Sequence, residues 1–314
     1  RPLRERKPER LLGIAENLLA CSGYDEISLS SLSTSDFSGL RDLTDGLLKI
    51  TEEKKIGLSL PSLRIDNFSL ELMEKVQKVR KTGITFAPEA GTQRLRDVIN
   101  KNINEEDIIN STNMLFRGGW TNVKLYFMIG LPTETMDDVC GIADLAQKVL
   151  EVYFAIPKEE RAKQINITVS TSSFVPKPFT PFQWASMHDP EDYIARAKVV
   201  NDTVKEQLNR KSIKYNWHEA DVTVLEGVLA RGDRKVGNVI RTVYERGGIF
   251  DAWSEYFDYQ RWLDAFAECG VDMDFYTKRE RSLDEVFPWD FIDTGVTKEF
   301  LKREWQNAME ENVT

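Results

Sequence analysis

Cysteine and histidine are scarce in this chain: its 314 residues hold three cysteines and two histidines. Cys21, Cys140 and Cys269 lie more than a hundred residues apart. No pair has metal-ligand spacing, and three is a poor number for a disulfide framework. They read as buried structural thiols in a reducing, cytoplasmic compartment. His188 and His218 also lack ligand spacing and read as structural, so no metal ligand is expected within this sequence. No G-x-G-x-x-G follows an apolar run, which removes support for a dinucleotide-binding open sheet. No apolar run approaches the roughly 18 residues that span a bilayer. The opening RPLRERKPER has no apolar segment behind it, so there is no signal-peptide pattern. It also lacks an initiator Met, and a cut or processing site is the expected origin. Basic charge is outweighed, with 42 Lys and Arg against 51 Asp and Glu and a net charge of −9. That balance argues against nucleic-acid binding through this region, although a local basic patch stays open.

What is present is an ordinary globular composition, 41% hydrophobic and 30% charged, long enough for one large domain or a barrel with an appendage. Short apolar, β-branched runs alternate with amphipathic helical patterns. Strands are expected at 26–32, 56–60, 83–87, 122–129, 165–173 and 213–217. Leu40, Leu43, Leu47 and Ile50 recur at helical spacing, as do Leu72, Val76 and Val79 within 69–80. Asn104, followed by Glu105, Glu106 and Asp107, marks a helix start, because carboxylates offset the free amides of a first turn. That helix is expected to stop at Gly118 and Gly119. Thr133 or Thr135 is expected to cap the next one.

Repeated strand–helix units imply a parallel sheet, either a closed β/α barrel or an open doubly wound sheet. Residues with special chemistry follow nearly every strand at its C-terminal end, where β/α barrels place their sites, and this favours the barrel. Residues 174–184, FVPKPFTPFQW, hold three prolines and four aromatics. Such a segment is too stiff for a linker, and a loop folded over the barrel mouth is expected. From about 219 helices dominate, and six of the seven tryptophans lie after residue 180. The expected division is a linker and first helix over 1–25, a barrel over 26–190, and an α-rich extension with one further strand over 191–314.

The strand ends are Pro61-Ser62-Leu63-Arg64, Pro88-Glu89-Ala90-Gly91-Thr92, Gly130-Leu131-Pro132-Thr133-Glu134-Thr135 and Ser173-Phe174-Val175-Pro176-Lys177-Pro178-Phe179. Gly91 and Gly130 would let backbone approach a ligand closely. Glu89 would accept hydrogen bonds from ribose hydroxyls or an amine. Arg64 and Lys177 would suit a carboxylate. The plainer alternatives remain: Arg64 paired with Asp66 at the surface, Lys177 solvated, Ser30, Ser31 and Ser33 as ordinary strand and turn hydroxyls. The RGDRK run at 231–235, with Arg241 and Arg246, reads as a solvated helix junction or a phosphate site. Trp253, Tyr256, Phe257, Tyr259 and Trp262 read as core rather than a binding platform.

In this order, on successive strands, the four signals resemble the radical S-adenosylmethionine (SAM) superfamily. LEGVLARGDRKVGNVI at 225–240 and FPWDFIDTGVTKEFLKREW at 287–305 resemble the C-terminal extension of a poorly characterised subgroup, within a branch that often carries an upstream cobalamin-binding domain. The resemblance implies an α/β fold, a partial parallel β/α barrel lacking its first strand and open at the edge strand 26–32. It implies SAM as cofactor, with contacts from Ser31, Ser59, Arg64, Pro88, Glu89, Gly91, Lys124, Tyr126, Gly130, Pro132, Ser173, Val175 and Pro176. Tyr126 stands where some members have an acidic residue, so Lys124 or Arg64 is expected to help hold the methionine end. The resemblance also implies a four-iron, four-sulfur cluster held by C-x3-C-x2-C. That triad is absent here, so its ligands are expected upstream, in a segment removed by truncation, and the fragment itself is expected to be inactive. The implied chemistry is reductive cleavage of SAM to a 5′-deoxyadenosyl radical, with cobalamin-dependent methyl transfer as one outcome. A non-catalytic SAM- or nucleotide-binding barrel and a methylthiotransferase-like RNA modifier are the alternatives.

Overall fold

The computed structural model describes residues 5–31, 34–59 and 83–311. The turn expected at 61–64 with Arg64 and Asp66, the helix expected over 69–80, and Ser33 lie outside these residues, as does the side chain of Ser59. Helix α1 (Pro8–Ser22) begins on a proline, whose fixed φ suits a first turn, and ends at Gly23 with φ 69°. Strands β1 (Glu26–Ser28) and β2 (Gly57–Ser59) pair in parallel across the crossover helix α2 (Leu40–Lys54). Pairing stops at Ser28 opposite Ser59, so β1 is shorter than the apolar run suggests. Ala15, Leu43, Leu47, Leu48 and Leu58 form the core of this unit.

The second sheet is parallel and in chain order: β3 (Ile84–Glu89), β4 (Asn122–Ile129), β5 (Asn166–Ser173) and β6 (Ile213–Trp217). Helices α3 (Gln93–Val98), α4 (Glu105–Arg117), α5 (Met136–Ala155) and α6 (Pro190–Glu206) connect its strands. Asn104 caps α4 as expected: its side chain accepts from the Asp107 amide at 2.8 Å and the Asp107 carboxylate accepts from the Asn104 amide at 2.9 Å. The helix ends at Gly118. Residue 190 is not a break in the sheet, because α6 packs on α5 and β6 pairs with β5.

The alternation along these strands sorts the two faces. Val123, Leu125, Phe127 and Ile129 of β4 and Ile167 and Val169 of β5 are buried against α4, α5 and α6. Burial of such side chains stabilises by roughly 1.5–3 kcal/mol each, which makes this face the main source of stability. The opposite face carries polar rows set by the register, Thr85–Lys124–Thr168–Lys214 and Tyr126–Ser170–Asn216. This is the inner surface of a partial barrel.

Beyond β6 follow α7 (Ala220–Arg231), α8 (Arg234–Glu245), α9 (Tyr259–Glu268), α10 (Asp274–Thr277) and α11 (Lys298–Met309). Val228, Val236, Val239, Val243, Trp262 and Phe266 give α7–α9 a core of their own. The expected aromatic cluster divides: Trp262 is buried and Phe257 and Tyr259 pack beside it, while Trp253 and Tyr256 are exposed. The last segment returns to the strand ends, where Phe287, Trp289, Leu301 and Trp305 pack with Ala90, Leu131, Phe174 and Trp184.

Candidate cofactor site at the strand ends

The two glycine-containing turns after β3 and β4 are locked together. The register slips by one residue between Phe86 and Glu89, as expected where Pro88 has no N–H to donate. Glu89 emerges with φ 69°, a left-handed backbone that non-glycine residues seldom hold without a reason. Its carboxylate meets Lys101 Nζ at 3.3 Å. Thr92 caps α3, and its hydroxyl donates to Asp138 of α5. Arg94 donates to the same carboxylate and to the Thr133 carbonyl at 2.9 Å. Thr135, the cap of α5, donates to Asp138 through its amide and its hydroxyl, each at 2.8 Å. Burial alone would raise the Asp138 carboxyl; the hydrogen bonds from Thr92, Arg94 and Thr135 outweigh it and hold the group below its ordinary range.

Gly91 is needed for this clamp. A Cβ there would lie 2.4 Å from the Asp138 carbonyl oxygen and from the Ile142 amide nitrogen, both backbone atoms of α5. Gly130 has φ 91°, and a Cβ on it would meet the His188 ring at 2.8 Å. Its amide donates to Glu134 at 2.9 Å, and Arg196 of α6 meets the other oxygen of Glu134 at 3.0 Å. Burial pushes the Glu134 carboxyl up to about 7, against the pull of the Gly130 amide and Arg196. Thr133, with φ 64°, is held by Arg94 and is not the cap. Pro132 sits in the same turn.

The segment after β5 passes through a turn at 178–180, with Phe179 at φ 61°, into a 3-10 turn, Pro181–Trp184, whose tryptophan is fully buried between Phe287 and Trp305. It forms one wall of a cavity of about 400 Å³ at the C-terminal ends of β4 and β5. Met128, Phe174, Val175 and Phe182 give this cavity its apolar surface, and Ser172, Ser173, Lys177, His218, Thr223 and Glu226 its polar one. Lys177 is not solvated alone, since it pairs with Glu226 of α7, both half-exposed. Pro176 lies buried between Val175 and Lys177.

The expected contacts are thus only partly brought together. Ser173 and Val175 line this cavity. Pro88, Glu89, Gly91, Gly130 and Pro132 belong to the two clamped turns. Lys124 lies over the Tyr126 ring at 4.4 Å on the inner face of β4. Ser31 lines a different, largely apolar cavity of about 420 Å³ between α1, β1 and α2. His218, Glu226, Glu134 and Asp138 were not among the expected site residues. Asp138 had a local signal, the T-x-x-D capping spacing. Glu134 belongs to the turn after β4 and meets Arg196 of α6, His218 is carried in by β6, and Glu226 by α7.

The thiols are less buried than expected: Cys21 is exposed, and Cys140 and Cys269 are half-buried beside the Thr203 and Thr242 hydroxyls. Among the described residues no three His, Cys, Asp or Glu side chains converge as a metal site. The 231–235 run divides: Arg234 and Lys235 are exposed, as in a solvated junction, and Arg231 is not. Arg231 is fully buried, and Asp233 caps α8 and accepts from the Tyr276 hydroxyl at 3.0 Å.

Residues 1–146 match the radical SAM superfamily. The match runs from the N-terminus through β4 and into α5, and includes both clamped turns. Over this part the chain is similar to the radical SAM superfamily, and β5, β6 and the helical region lie beyond the matched residues. A relative among curated proteins is an uncharacterised protein of Methanocaldococcus jannaschii, 28% identical over 270 residues. That alignment covers 86% of this chain and 55% of the relative, so the chain spans about half of that protein's length. Among solved structures, the archaeal Elp3 of Methanocaldococcus infernus with an N-terminal deletion aligns at a TM-score of 0.43 and 14% identity, over 67% of this chain and 52% of that one. Among the described residues no helix is long and apolar enough to cross a membrane.

Proposed function

We propose that this chain is the barrel portion of a radical SAM enzyme, with SAM seated against the ends of β3, β4 and β5. The observation that carries the reading is the 400 Å³ cavity at the ends of β4 and β5, which Met128 of β4, the last strand within the superfamily match, helps to line. Its volume falls within the roughly 300–1,000 Å³ typical of small-molecule sites. Its apolar surface suits an adenine ring, which Met128 and Val175 would flank. Ser172, Ser173 and His218 would meet polar edges. Glu89, held in its unusual backbone conformation, would accept from ribose hydroxyls, and Lys124 or Lys177 would pair with the methionine carboxylate. The Asp138 clamp and the segment after β5 position these groups and keep water out.

Bound SAM, cleaved reductively, supplies a radical that removes hydrogen from a substrate. The three cysteines do not fit an iron–sulfur cluster, since they stand on α1, α5 and the end of α9. The 314 residues alone are therefore inactive in our reading, and the cluster ligands, like a cobalamin-binding domain with its methyl transfer, lie elsewhere in the whole protein. The absence of a cysteine triad gives weight to a second reading, a barrel that binds SAM or a nucleotide without radical chemistry.

The test uses the full-length protein, purified without oxygen and reconstituted with iron and sulfide. Dithionite-dependent formation of 5′-deoxyadenosine from SAM is expected, and it should vanish when a cluster cysteine outside this chain is changed to alanine. No cluster and no cleavage would overturn the enzyme reading in favour of the binding barrel. A stoichiometric cluster that cleaves SAM on this chain alone would overturn the claim that it is inactive.

A further inference from the structure

Arg231 ends α7 with its side chain completely enclosed. Its Nε and Nη1 meet no protein acceptor, and its Nη2 has one long contact, 3.4 Å, to the Gln183 carbonyl. Arg281, 4% exposed, lies against it, and its Nη2 reaches the Arg231 carbonyl at 3.4 Å. The Arg281 amide donates to the Trp184 carbonyl at 2.9 Å, which joins the C-terminal segment to the 3-10 turn. Both Arg281 Nε and Trp184 Nε1 are buried without a protein acceptor. Four donor nitrogens on three fully or nearly fully buried side chains thus lack a protein acceptor where α7, the 3-10 turn and the C-terminal segment meet.

The charge is unbalanced as well. Arg231, Arg279 and Arg281 share one carboxylate, Glu285. Arg279 occupies that carboxylate with both Nη atoms, at 2.7 and 2.8 Å. Arg281 is 3.9 Å from it and is also balanced by the faces of Phe287 and Trp289, at 5.3 and 5.6 Å. Among the described residues Arg231 has no ion pair. Burial, followed by Arg281 and Arg279, pushes its pKa down to about 9, still above neutral pH. Guanidinium does not give up its proton in proteins, so the group cannot escape by neutralising itself. An uncompensated buried cation is among the costliest arrangements a fold can hold.

We propose that Arg231, Arg281 and Trp184 hold a small inorganic anion of chloride size, a structural counter-ion built into the junction. It satisfies the donors that lack acceptors and offsets Arg231. The site ties α7 to the segment after β5, two elements that each contribute a wall of the 400 Å³ cavity through Thr223 and Glu226 on one side and Thr180 and Phe182 on the other. The proposal does not depend on what that cavity binds.

Two measurements decide it. Thermal unfolding is followed at constant ionic strength while gluconate, too large for an enclosed site, is replaced by chloride. A ligand bound only by the folded state raises Tm with the logarithm of its concentration, so a gain of about 2 °C per tenfold chloride is expected above the dissociation constant. Arg231→Met should abolish that dependence and leave Tm in gluconate equal to or above that of the unsubstituted protein. A Tm that is the same in gluconate and chloride overturns the proposal. Crystals grown in bromide give the second measurement, which needs no variant to fold. An anomalous peak in contact with the Arg231 guanidinium is expected, and ordered water alone at that position overturns the proposal.

Discussion

Asp138 and Arg231 are both buried charges that join distant parts of the chain, and they are satisfied in different ways. Around Asp138, donors outnumber the needs of one carboxylate: Thr92, Arg94 and Thr135 all reach it. Two of these come from the helix-capping residues of α3 and α5, so the cluster is assembled from local motifs that would form near their own positions in any case. Around Arg231 the donors come from three elements with no local relation, and acceptors are missing. A cluster that grows out of capping is complete within the chain. A cluster created where a late segment docks on an earlier one depends on what the docking encloses.

The comparison can be broken or sharpened experimentally. The largest effect is expected from Gly91→Ala, because its Cβ would strike the backbone of α5 rather than a side chain that could turn away. A loss of about 4 kcal/mol is expected in urea unfolding, at the severe end for one methyl group. Asp138→Ala should cost about 3 kcal/mol by the same measurement, since it leaves Arg94 and two caps without their acceptor. Its effect has a definite pH dependence. The folded pKa is depressed, so the stability Asp138 supplies is present above the unfolded carboxyl range and is lost as pH falls through the folded value.

Glu134, four residues earlier, has the opposite sign. Its folded pKa is raised to about 7, so its contribution is complete below the unfolded value of 4.5 and is lost as pH rises through about 7. That loss amounts to about 3 kcal/mol on the general scale of pKa shifts. Glu134→Gln should flatten the stability curve over this range in urea titrations at stepped pH. An unchanged curve would mean that Arg196 already keeps the carboxylate charged. The smallest effect is expected at Lys177. Its pair with Glu226 is half-exposed, so Lys177→Ala should leave stability within about 0.5 kcal/mol. In our reading of the cavity, the same change weakens SAM binding measured by equilibrium dialysis.

Much of the fold was legible before the structure. The strands at 122–129, 165–173 and 213–217 fall within one residue of β4, β5 and β6, because parallel strands with one face against helices alternate cleanly. Asn104, Thr135 and Gly118 mark helix ends where expected, since capping is a chemistry of immediate neighbours. The site was less legible. Ser31 lines a separate cavity, and Gly91 packs against the backbone of α5. His218 and Glu226 came in on β6 and α7, whose positions depend on the crossing of α6 over α5. Within the 231–235 run Arg234 and Lys235 are exposed as expected, but the charge pattern gave no sign that the C-terminal segment would close over Arg231.

Local periodicity and capping determined, from the sequence alone, which residues are helical or extended and which strand ends carry turns. Those choices rest on interactions within a few residues. The clamp of two turns on Asp138, the cavity at the ends of β4 and β5, and the enclosed guanidinium of Arg231 were decided only by tertiary structure. Each is made from groups tens to hundreds of residues apart, which meet because burying the apolar faces of α5, α7 and α11 brings their backbones to fixed places.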